Sequence, residues 1–120
     1  MAGIQDEQEE VAMAITRHFR ETVVERAQSD RRFREAMLTE TINELLGGDL
    51  EAGKAMLRDY VNATITFDGL AKKLRKPSKS LQRMLGPSGN PTAESSFGII
   101  KVLQEFERVH LQVSAAKNAA

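Results

Sequence analysis

Apolar side chains along this chain recur at intervals of three and four, and no run alternates apolar with polar positions between turn residues. That spacing predicts helices throughout and an all-α fold. Val11, Ile15, Phe19 and Val23 repeat at every fourth position with Glu7, Glu10, Arg17, Glu21 and Arg26 between them, which predicts one amphipathic helix of about five or six turns. Ser29-Asp30 offers two good capping residues, and Phe33, Met37, Leu38, Ile42 and Leu45 restart the stripe until Gly47-Gly48 ends it. Asp49 caps a third helix carried by Leu50, Ala55, Met56 or Leu57, Tyr60 and Val61, and Asn62-Ala63-Thr64 closes it. Thr66 caps a short helix from Phe67 to about Leu74. Pro77, a first-turn residue whose missing N–H is not needed, opens another that runs to Leu85. The stretch Gly86-Pro87-Ser88-Gly89-Asn90-Pro91 is a turn. Thr92 caps the last helix, with a stripe of Phe97, Ile99 or Ile100, Leu103 and Phe106, and Ser114 to Ala120 reads as a frayed tail.

The 120 residues suffice for one globular domain, and with no Trp and one Tyr its core must come from aliphatic residues and a few Phe. The formal charge of zero hides an asymmetry: residues 1–60 carry 8 basic and 13 acidic side chains, residues 61–120 carry 9 and 4. The absence of cysteine excludes disulfides, thiolate metal sites and a cysteine nucleophile, and suits a reducing compartment. The amino terminus lacks a basic region followed by an apolar stretch, and the longest apolar run is Val11 to Ile15. The expectation is therefore a cytoplasmic protein with no membrane segment.

The basic half concentrates its charge. Residues 69–91 contain Lys72, Lys73, Arg75, Lys76, Lys79 and Arg83 and no acid, on two short helices joined by a turn of three or four residues. That arrangement predicts a helix-turn-helix. Leu70 and Leu74 face the core from its first helix, Leu81, Met84 and Leu85 face it from the second, and Ala71 is small where the two cross. Ser78, Lys79, Gln82 and Arg83 remain outside. Arg can bond guanine O6 and N7 together, Gln can do the same with adenine, and Ser and Lys reach phosphates or bases. The expected division is base reading by Gln82 and Arg83, and phosphate contact by Lys72, Lys79 and the 86–91 turn through Ser88, Asn90 and free backbone N–H groups. Ser78 sits at a helix start whose dipole favours an anion.

The segments Leu57 to Ile65, Phe67 to Ala71, Pro77 to Leu85 and Ser88 to Thr92 resemble the DNA-binding domain of the HigA-like antitoxins, or addiction-module antidote proteins, within the lambda-repressor-like (Xre) helix-turn-helix group. The resemblance spans roughly residues 50–106. It is most specific at Lys79-Ser80-Leu81, Arg83-Met84-Leu85 and Gly89-Asn90-Pro91. It implies a five-helix domain, placed at 49–113; the residue pattern adds an N-terminal helical extension at 1–48 that packs on or dimerises with the rest and a flexible tail at 114–120. The resemblance also implies a homodimer on a palindromic operator in double-stranded DNA, autorepression, and a cognate toxic ribonuclease as a further partner. The family has Gly in the turn where this chain has Arg75, so a non-glycine residue is expected at positive φ there, at a cost of about 1 kcal/mol.

Other chemistry finds little support. His18 and His110 stand apart without a carboxylate cluster at metal spacing. Ser78, Ser80, Ser88, Ser95 and Ser96 lack a His-plus-acid set and nucleophile-elbow glycines. The 86–91 loop lacks the Lys-Ser/Thr ending of a phosphate-binding loop. The sequence thus predicts a non-enzyme with no catalytic residue, metal site or cofactor. The alternative to a DNA-binding regulator is an all-α protein-interaction module, for example toxin-binding, that keeps the helix-turn-helix outline without reading DNA. The dimer surface is expected in the acidic half or on the last helix, where Ile99, Ile100, Leu103 and Phe106 form a wide stripe.

Overall fold

The computed structural model describes residues 21–118, and every regular element among them is helical. Residues 21–29 are helical and form α1; the earlier part of the first predicted helix, with Val11, Ile15, Phe19 and His18, lies outside the described residues. There follow α2 (Arg31–Leu46), α3 (Leu50–Ala63), α4 (Thr66–Leu74), α5 (Ser78–Met84) and α6 (Ala93–Glu107). Short side-chain oxygens start three of them by accepting an N–H that would otherwise lack a partner. Asp30 accepts from Phe33 N at 3.2 Å, Asp49 from Ala52 N at 3.1 Å and Thr92 from Ser95 N at 3.1 Å. Gly48, at φ 87, turns the chain between α2 and α3. The backbones then cross so closely that a Cβ at Gly53 would overlap the Leu45 side chain.

One core joins the N-terminal layer to the rest. Leu38 of α2 is fully buried with Leu57, Tyr60 and Val61 of α3, Phe67 and Leu70 of α4, Leu81 and Leu85 beside α5, and Ile99, Val102 and Leu103 of α6. Each large aliphatic member stabilises the fold by about 1.5–3 kcal/mol through removal from water. A polar tie crosses the same layers. Glu107, at the end of α6 and 4% exposed, takes two bonds from the Arg34 guanidinium, at 2.8 and 3.3 Å, and one from the Tyr60 hydroxyl at 2.7 Å. Arg34 also donates to the Ala27 carbonyl at 3.0 Å, so the group reaches α1, α2, α3 and α6. Burial alone would raise the Glu107 pKa, but the hydrogen bonds from Arg34 and Tyr60 and the nearby positive charge outweigh it and hold the carboxyl below its ordinary range. Burial, then the bond to Glu107, pushes the Tyr60 phenol up, while the bond to Glu107 raises Arg34 further.

Several predicted positions change. Phe97, placed on the core stripe of the last helix, is 69% exposed, and Phe106 is 48% exposed. The buried face of α6 is instead Ile99, Val102, Leu103 and Glu107, about half a turn of the helix away from Phe97. Ile99 and Leu103 are fully inside the core, so of the stripe assigned to dimerisation only Ile100, half-buried, and Phe106, exposed, reach the surface. Leu50 is exposed because it occupies the first position of α3, ahead of the first turn that packs. Pro77 precedes α5 rather than entering it: at φ −62 and ψ 136 it is extended, and the helix begins at Ser78 and ends at Met84. The described tail residues 114–118 are exposed and carry no regular structure.

Candidate nucleic-acid interface

The helix pair α4–α5 is built around a left-handed turn. Arg75 lies at φ 55 and ψ 44, and Lys76 N donates back to Ala71 O at 3.2 Å, which closes α4 in the way a glycine usually does. The residue expected at positive φ is therefore found there. Pro77 then sends the chain into α5, and its carbonyl accepts from Ser80 N and Leu81 N. Leu70, Leu81 and Leu85 are locked in the core, with Ala71, Leu74 and Met84 packed at its margin. At about 100° per residue this phase leaves Lys79, Gln82 and Arg83 on the outward arc of α5, and all three are exposed. Ser78 is half-buried, and its hydroxyl accepts from Gln82 Nε2 at 3.1 Å, which orients the Gln82 amide along the helix.

Lys72 is exposed in the last turn of α4 beside Lys73, with Arg75 and Lys76 exposed in the turn that follows. Lysines at that end also complement the helix dipole. Ser88 and Asn90 are exposed in the separate turn beyond α5. The fold thus gathers Ser78, Lys79, Gln82 and Arg83 on one helix, sets Lys72 among basic neighbours at its front, and puts Ser88 and Asn90 behind it.

The structure adds residues that the sequence reading passed over. A cleft of about 450 Å³ runs between α3, the start of α4 and α5, lined among others by Arg58, Asn62, Thr66, Asp68 and Gln82. Asp68 is an exposed carboxylate in the first turn of α4, where it suits the helix dipole but opposes a phosphate at that helix start. Thr66 stands at φ 70, an unusual conformation for a β-branched residue, and its Oγ1 accepts from Gly69 N at 3.2 Å. Thr66 is the first residue of α4, with Ile65 at the N-cap, rather than the cap the sequence predicts, and its hydroxyl serves the first turn from inside the helix at the cost of a strained corner.

Two cations on α3 bind the far end of α5. Arg58 Nη1 donates to Leu85 O at 2.6 Å. Lys54, only 5% exposed, donates to Gly86 O at 3.2 Å and Gly89 O at 2.7 Å and pairs with Glu51 at 2.9 Å. The signal for Lys54 was present in the spacing, since a lysine between Leu50, Leu57 and Val61 lies on the apolar stripe of α3.

Among the described residues no group of three or more His, Asp or Glu side chains is placed to hold a metal ion, and no helix is long and apolar enough to cross a membrane. Comparisons with family models, with curated proteins and with solved structures return no match for this chain.

Proposed function

We propose that the protein is a sequence-specific DNA-binding regulator of the lambda-repressor-like helix-turn-helix kind, an antitoxin-like autorepressor that acts as a homodimer. The observation that carries this reading is the division of α5, with Leu81 buried and the chemically versatile trio Lys79, Gln82 and Arg83 exposed, between the basic turn 72–76 and the 86–91 turn. A short helix fixed on one side and armed on the other fits the major groove, where Gln82 and Arg83 meet base edges while Lys72, Lys79, Ser88 and Asn90 meet phosphates. Ser78 steadies Gln82 by accepting its amide N–H and keeps its own O–H to donate to a phosphate at the helix start.

One helix reaches too few bases to select a site among a genome's worth of competitors, so two copies related by a two-fold axis are expected, with reading helices about 34 Å apart and an inverted-repeat operator. Selection of duplexes from a random pool, followed by footprinting and sedimentation, tests this. An inverted repeat with half-sites one helical turn apart supports it, whereas a strict monomer with one copy per footprint refutes the dimer mechanism.

A protein-interaction role is favoured by a different feature, an apolar groove of about 450 Å³ lined by Val23, Val24, Phe33, Met37 and Met56 between α1, α2 and α3. A partner such as a cognate toxin would engage there, on a face that shares no residue with the DNA contacts proposed above.

A further inference from the structure

Lys54 is a buried cation with every bond directed at backbone and at one carboxylate. Its ammonium holds two carbonyls of the turn after α5, Gly86 O and Gly89 O, and Glu51 supplies the third partner. The turn is tight. Gly89 N donates to Gly86 O at 3.0 Å, and a Cβ on Gly89 would run into the carbonyl oxygens of Arg83 and Met84. All peptide bonds among the described residues are trans. In a trans peptide the N–H points opposite to the carbonyl of the same unit. Drawing Gly89 O inward onto Lys54 therefore turns the N–H of Asn90 outward. Pro87 and Pro91 have no N–H, so Asn90 and Ser88 are the donors this turn can present. Asn90 is exposed and its N–H has no partner among the described residues.

We propose that Lys54 is a positioning residue for DNA backbone anchoring: from inside the fold it sets the Gly89–Asn90 peptide so that Asn90 N–H, with its side chain beside it, faces a phosphate. This rests on the DNA-binding reading and extends it to a buried residue that never touches the duplex. Because a phosphate carries no sequence, the contact acts alike on operator and random DNA. Each phosphate engaged contributes about 0.9 to the slope of log affinity against log salt.

The test uses full-length protein and two duplexes of equal length, one selected from a random pool by the wild-type chain and one of random sequence. The variant Lys54→Met with Glu51→Gln removes the clamp without changing net charge. Gly89→Ala displaces the same peptide from the turn side while Lys54 and Glu51 are kept, which keeps the test decisive if the double variant fails to fold. Expected are faster hydrogen exchange in the 83–92 segment, a salt slope lower by about 1 per bound protomer, and an affinity loss of about tenfold that is equal on both duplexes. Wild-type salt slopes in the folded variants, or a loss confined to the selected duplex, would overturn the inference while leaving DNA binding intact. If the wild-type chain retains neither duplex, the DNA-binding reading fails and this inference fails with it.

Discussion

Replacing Glu107 by Leu tests the polar tie at the centre of the fold. The substitution keeps roughly the volume of the side chain and removes both carboxylate oxygens, leaving the Arg34 guanidinium, whose side chain is 21% exposed, and the Tyr60 hydroxyl without their shared acceptor. Breaking one side of a buried ion pair costs about 3–5 kcal/mol, and a stranded hydroxyl about 1–3 kcal/mol. Arg34 can regain some water, so about 4 kcal/mol is expected in total, against a stability of about 5–15 kcal/mol for a domain of this size. The damage lies in the uncompensated groups. Arg34→Met combined with Glu107→Leu should therefore recover most of the loss, and adding Tyr60→Phe should bring the protein within about 1 kcal/mol of wild type. Urea melts followed by circular dichroism measure each step. A Glu107→Leu variant that loses less than 1 kcal/mol, or a triple variant no better than the single one, would refute the reasoning.

The same group predicts a pH response. Glu107 has a folded pKa below its ordinary 4.5, so its contribution is complete above that value and is lost as pH falls through the lower folded one; Glu107→Gln should flatten the acid limb of stability against pH. Tyr60 has a folded pKa raised above 10.0, so stability is retained up to about pH 10 and declines above it, a decline that Tyr60→Phe removes in alkaline melts. Arg83→Ala should cost about 1–3 kcal/mol on a selected duplex and little on random DNA, read by fluorescence anisotropy; equal losses would reject base reading. Arg75→Gly should raise stability by about 0.5–1 kcal/mol, because the left-handed strain removed exceeds the added entropy of the unfolded chain. It should also weaken DNA binding if the Arg75 side chain meets phosphate, and a lower melting temperature for this variant would contradict the strain argument.

The helix boundaries were legible because they depend on neighbours in sequence. Asp30, Asp49 and Thr92 each accept an N–H three residues on, and Arg75 is left-handed where the resemblance places a glycine in the turn. The division of α5 into a buried and an exposed face was legible for the same reason. What depends on partners distant in the chain was not. Phe97 and Ile99 fit helical spacing equally well, and only the position of α6 against α3 and α4 decides which is buried. Nothing local marks Glu107 as the acceptor for Arg34, 73 residues earlier. Lys54 could be flagged as a cation on an apolar stripe, but the carbonyls it serves are 32 and 35 residues away.

Residues 49–118 contain every side chain proposed to touch DNA, yet they share their core with Leu38 and their polar tie with Arg34, both of α2. Removing the chain from its amino end through α2 would unsettle this segment before cutting a single residue of it. Once α2 is gone, the Glu107 carboxylate has lost its guanidinium, and the space filled by Leu38 opens to water. If α5 reads DNA as proposed, its surface therefore depends on a segment elsewhere in the molecule, and cutting within α2 should lower duplex affinity although every proposed contact residue is still present.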